Sequence, residues 1–338
     1  MRAFVAALLC CVLSAAAVGA QPLQYARLGD FRLESGAVVR DCRIGFRTFG
    51  TLNAARSNAV LFLTYFGGTS EQLAPFIPWL GLDKYYVIAV DALGNGVSSS
   101  PSNSLRQPRM RFPQFTVGDM VATEHRVLVQ HLGITHVKAV MGISMGGIQT
   151  FQWMVAYPDF MDDAIPMLGS PRLAPYSLLH LRLGMDLIME SAAWKGGNYD
   201  ARDPPAALAS TELADLLLST PEYVDTHTDR GQLFARVAAS AAAIVGHDAN
   251  DKIRQTQALL RHDVAAAFGG SMADAAAAVH AKALIVVSQS DHVVTPGPAL
   301  EFAQLMNART LVLNDACGHD AIACELAKVA GAIHDLLD

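Results

Sequence analysis

The chain has 338 residues, of which 52% are hydrophobic and 17% charged, and its formal net charge is −6. That acidic balance argues against nucleic acid or an anionic membrane surface as partner. Five cysteines are too few for a disulfide framework, and their spacing matches no zinc site.

The N-terminus reads as a targeting segment over residues 1–20: Arg2 supplies the positive start, residues 4–13 an apolar core, and Val18-Gly19-Ala20 a small-residue cleavage pattern. The apolar stretch is short for a membrane span, and no later run is both long and uncharged. Neither Cys10 nor Cys11 follows a small residue, as a lipoprotein signal requires. The expectation is a soluble exported protein, periplasmic or secreted, with no membrane partner once the signal is removed. Losing Arg2 takes the net charge from −6 to −7 and leaves Cys42, Cys317 and Cys324, which can form at most one bridge.

Residues 27–49 alternate as strands do, with Val38, Val39, Ile44 and Phe46 facing a core and Ser35-Gly36 as the turn. Apolar runs follow at 58–65, ending in Phe66-Gly67-Gly68-Thr69, and at 85–91, ending in Ala92-Leu93-Gly94-Asn95-Gly96. Between residues 116 and 132, Val117, Met120, Val121, Val127 and Leu128 recur at helical spacing. A run at 137–141 leads into Gly142-Ile143-Ser144-Met145-Gly146 and a helix-compatible stretch, and 164–168 reads as a further short strand. From about 175 to 282 the pattern becomes helical, rich in Ala and Leu and broken at Gly196-Gly197 and Pro204-Pro205. Strands resume at 283–287 and 310–313, and an amphipathic helix from about 321 closes the chain. This is an α/β pattern, a mostly parallel central sheet flanked by helices. The core would be residues 21–174 and 283–338, with residues 175–282 inserted as a helical lid that could also pair with a second copy to form a homodimer.

Gly142-Ile143-Ser144-Met145-Gly146 sits at a strand–turn–helix junction, where small residues two before and two after a serine let its hydroxyl project from a strained turn. A serine hydroxyl needs a base to take its proton and a third group to orient that base. Among eleven histidines, His319 follows the 310–313 strand on the edge where Ser144 emerges. The others, His180 in the insertion among them, read as ordinary side chains, and His292 as a neighbour pointing elsewhere. Asp291 follows the 283–287 strand and completes the chain order Ser, Asp, His. Asp315, four residues before His319, is the rival acid, or else a cap of its own loop. An oxyanion needs two backbone donors, expected at Met145 and at Phe66; the bland reading of Phe66-Gly67-Gly68 is a plain turn.

Several blocks together resemble one family. They are Asp91-Ala92-Leu93-Gly94-Asn95-Gly96, Thr116-Val117-Gly118-Asp119-Met120-Val121, Gly142-Ile143-Ser144-Met145-Gly146-Gly147-Ile148-Gln149, Tyr157-Pro158-Asp159, Trp194 with Gly196-Gly197-Asn198-Tyr199, and Gly318-His319-Asp320-Ala321. They look like the homoserine O-acetyltransferase branch of the α/β-hydrolase superfamily. The resemblance implies an α/β-hydrolase fold, a Ser144, Asp291, His319 triad, an acyl-serine intermediate and a helical lid. It also implies that Asp320 contacts a substrate amine.

Two departures matter. The family's carboxylate-gripping arginine falls at Met185, with Arg182 one turn away, and the export signal sends the protein away from acetyl-CoA. Both shift the acceptor from homoserine to water. The expectation is an exported serine esterase acting on a small or medium acyl substrate, with no cofactor. An acyltransferase of the resembled type is the first alternative and a catalytically inactive binding protein the second.

Overall fold

The run Ala59-Val60-Leu61-Phe62-Leu63 offers no polar face, so it can lie only where a sheet is covered on both sides, and all five residues are buried. The structure is a computed structural model that describes residues 22–200, 202, 204–205, 218–235 and 247–338. The segment read as a signal, residues 1–20, lies outside the described residues.

Eight strands form one sheet: β1 Gln24–Arg32, β2 Val38–Phe49, β3 Ala59–Leu63, β4 Tyr86–Val90, β5 Val137–Ile143, β6 Met161–Met167, β7 Lys282–Ser288 and β8 Arg309–Leu313. Their order is β1-β2-β4-β3-β5-β6-β7-β8. β2 is antiparallel to both β1 and β4, and every later pairing is parallel. The chain adds β4 on one side of β3 and β5 on the other, so the strand order reverses at β3 and a crevice opens outside the carboxyl ends of β3 and β5. β6 starts earlier than its apolar run because Asp162 and Asp163 open it; buried Asp163 is matched by Lys138 at 2.7 Å.

The helices used below are α1 Val117–Arg126, α2 Met145–Ala156, α3 Pro175–Glu190, α4 Pro221–His227, α5 Ala249–Leu259, α6 Gly297–Met306 and α7 Leu326–Leu337. Thr116 and Asp119 begin α1 as a reciprocal capping box, each side chain accepting the other's backbone N–H. α1, α2 and α6 cover one face of the sheet through residues such as Met120, Phe151 and Phe302; α7 covers the other through Val329 and Ile333.

Among the described residues of 175–282 two kinds of packing occur. α3, the turn at Ala192–Gly197 and the start of α5 share a small core of Met185, Ile188, Trp194, Tyr199, Ala249 and Ile253. The end of α5 and residues 264–276 contribute Ala258, Leu259, Val264 and Ala275 to the main core. No described helix is long and apolar enough to cross a membrane.

Candidate active site

Ser144 stands between β5 and α2 with φ 57° and ψ −118°, a conformation that non-glycine residues adopt only when their surroundings enforce it. The surroundings are backbone packed on backbone. A Cβ at Gly142 would lie 2.3 Å from Gly146 C, and one at Gly146 would lie 2.3 Å from Leu63 O. Only hydrogen fits at either position, so α2 starts against the ends of β3 and β5. The Ser144 N–H donates to Met167 O at 2.9 Å, fixing the turn from the β6 side.

Met145 is the first residue of α2, and its N–H is one of the helix-start donors with no intrahelical acceptor. Leu63 pairs with Gly142, so the loop carrying Phe66 leaves the sheet beside the Ser144 turn. Gln149 Nε2 donates to Thr64 O at 3.0 Å and ties α2 to that loop. A residue without any motif completes the support: buried Gln255 of α5 accepts the Gly67 N–H at 2.9 Å and donates to Leu93 O at 3.3 Å. It joins the loops after β3 and β4 from 188 positions away in sequence, and no local pattern marks it.

The three distant side chains meet. His319 Nε2 lies 2.8 Å from Ser144 Oγ, and His319 Nδ1 lies 2.6 Å from Asp291 Oδ2. Asp291 Oδ1 accepts the N–H groups of Val293 and Val294 at 2.8 and 2.9 Å, so its second oxygen is aimed at the imidazole. With Nδ1 donating to a carboxylate, Nε2 is the acceptor facing the serine hydroxyl. The side chains of His319 and Asp291 are 8% and 1% exposed, which excludes competing water from their bond. Burial works against a charged imidazole here, but the charge and hydrogen bond of Asp291 and the charge of Asp320 outweigh it and hold His319 above its ordinary range.

Asp315 takes a different partner: its Oδ1 accepts the Cys317 N–H at 2.6 Å, capping the loop. Ser290 bridges the two loops, donating to Asp315 O at 2.9 Å and accepting the Gly318 N–H at 3.1 Å. Cys317 and Cys324 form a disulfide across the residues that carry His319. Cys42 remains a free, buried thiol, pushed up to about 12 by burial.

Asp320 is exposed and accepts the Ser219 hydroxyl at 3.1 Å. Met185 is buried in the α3–α5 core. Arg182 points outward and grips Asp186 on its own helix with Nε at 2.8 and 2.7 Å from the two oxygens. His180 is half-buried on α3, and burial first, then the charges of His292, His319 and Lys252, lowers its basicity. One turn earlier, Ser177 Oγ accepts the Thr295 N–H at 3.2 Å and pins α3 to the Asp291 loop.

A sheet of this order, with serine, histidine and aspartate linked at its carboxyl edge, defines the α/β hydrolases. The family model for the alpha/beta hydrolase fold matches residues 58–323, and the chain belongs to that family. Within it the chain falls in the branch that contains the homoserine O-acetyltransferases. It is 30% identical over 315 residues to the ethyl acetate hydrolase of Pseudomonas veronii, covering 88% of this chain and 89% of that one. It is 27% identical over 353 residues to the homoserine O-acetyltransferase of Methanococcoides burtonii, covering 91% and 72%. The solved structure of an acetylester hydrolase from Corynebacterium glutamicum superposes with a TM-score of 0.85 at 25% identity, over 94% of this chain and 96% of that one.

Proposed function

We propose that this protein is an exported serine esterase that removes a small or medium acyl group from an ester through an acyl-serine intermediate. The observation that carries the reading is the hydrogen-bond chain from Ser144 Oγ through His319 to Asp291. In the first half-reaction, His319 Nε2 takes the Ser144 proton as Oγ attacks the ester carbonyl. The tetrahedral oxyanion is held by the backbone N–H groups of Met145 and Phe66. Collapse expels the alcohol, which receives the proton from His319, and leaves the acyl group on Ser144. Water, deprotonated by the same imidazole, then attacks the acyl-serine; Ser144 leaves with its proton restored and the carboxylic acid departs. Asp291 keeps the ring in the required tautomer throughout, and residues 175–282 serve as the lid.

Water is favoured as acceptor because Met185, packed in the α3–α5 core, has no charge to offer a homoserine carboxylate, and Arg182 is engaged with Asp186. Hydrolysis is also what the name of the Pseudomonas veronii relative describes. The acyltransferase reading keeps its support from the Methanococcoides burtonii relative. Export is supported by the Cys317–Cys324 bridge, since such bonds persist in oxidising compartments.

The test is turnover of p-nitrophenyl acetate by the purified protein, with and without acetyl-CoA and homoserine. Expected is full turnover in water alone, lost about 10⁴-fold or more in Ser144→Ala. Slow turnover that acetyl-CoA with homoserine accelerates would favour the transferase, and no turnover at all the inactive scaffold. Edman sequencing of protein recovered from outside the cytoplasm should start at Gln21.

A further inference from the structure

His319 is carried by a three-residue turn, Gly318–Asp320, too short to hold its own position. The triad explains where the imidazole points but not what holds its backbone. Three residues of the insertion do so. The His319 N–H donates to Leu218 O at 2.7 Å. Ser219 Oγ donates to Asp320 Oδ2 at 3.1 Å. The Thr220 hydroxyl donates to Ala316 O, while its oxygen accepts the Tyr223 N–H at 3.1 Å and caps α4. Gly318, at φ +66°, completes the fit, because a Cβ there would lie 2.5 Å from Leu218 O.

We propose that residues 218–220 are a positioning clasp for His319, by which the insertion sets the distance from the imidazole to Ser144. The inference rests on the esterase reading above and goes further, making Ser219 and Thr220 positioning residues for the reaction. It is carried by the convergence of one short stretch on residues 316, 318, 319 and 320, flanking the base on both sides. The opposite side of the loop is held independently by Ser290 and the Cys317–Cys324 bridge. Asp320, whose charge adds to the basicity of His319, is itself oriented by Ser219. A misplacement of about 1 Å in such a group costs up to roughly 100-fold in rate.

The experiment uses the full chain and p-nitrophenyl acetate, with kcat, KM and melting temperature measured for each variant. Thr220→Val should lower kcat about tenfold or more with KM nearly unchanged, and Thr220→Ser, which keeps donor and acceptor, should restore it. Three results would overturn the clasp: a lower melting temperature with wild-type kcat, which is loss of the α4 cap alone; a raised KM at wild-type kcat; or Thr220→Ser as slow as Thr220→Val. Should Thr220→Val not fold, Ser219→Ala decides, by a several-fold lower kcat or by none. The two readings fail separately. If Ser144→Ala still turns over, the esterase reading falls; if Ser144→Ala is dead and Thr220→Val runs at the wild-type rate, only the clasp does.

Discussion

Two loops at one sheet edge carry the Ser144 hydroxyl and the His319 imidazole, and they are built in opposite ways. The turn at Ser144 is made by backbone packed on backbone: Gly142 and Gly146 touch, the start of α2 rests on Leu63, and the Ser144 N–H donates to Met167 O. The turn at His319 is made by others, namely residues 218–220, Ser290 and a disulfide to Cys324. A nucleophile needs a strained, rigid perch, which close backbone packing provides locally. A base must also meet two partners at once, and that requires setting from more than one direction.

The contrast can be broken first at its strongest link. Asp291→Asn should lower kcat about 10³- to 10⁴-fold in steady-state assays, because an amide no longer holds Nδ1 as donor toward a carboxylate. Gly146→Ala tests the close-packed backbone at the Ser144 turn. Its methyl group would strike the Leu63 carbonyl, and the expected loss is roughly 1–3 kcal/mol in denaturant unfolding, together with loss of activity. Asp320→Asn removes one of the charges that raise the basicity of His319. His319 must be neutral to accept the serine proton, so the acid limb of the kcat/KM profile should move to lower pH. Arg182→Ala should change least. Its exposed pair with Asp186 contributes roughly 0.3–0.5 kcal/mol, and KM for an acetyl ester should stay at the wild-type value.

Much of the fold could be read in advance because its signals are short-range. The apolar runs of β3, β4, β5, β7 and β8, the helical spacing from Val117 to Leu128 and the small residues around Ser144 all act within a few positions of chain. The apolar run at 164–168 misses the opening of β6, because Asp163 is a buried acid whose place in a strand is legible only once Lys138 is set beside it. Chain order favours Asp291 over its rival Asp315, although both sit in loops after strands. What separates them is that Asp291 receives two backbone N–H groups on one oxygen and turns the other to His319, whereas Asp315 turns back to Cys317. The cysteines pose the same question: one bridge was allowed, and only Cα atoms 6.6 Å apart choose Cys317 with Cys324. Gln255 gives no sign at all, because it acts on partners from other elements.

The sequence by itself determined the alternation of strands and helices, the elbow at Ser144 and the family, since each depends on periodicity or on residues adjacent in the chain. Tertiary structure alone decided how Asp315 is turned away from His319, which cysteines join, and that Gln255 and residues 218–220 brace the site. Those choices turn on distances of a few ångströms between segments far apart in the chain, and local composition carries no record of such distances.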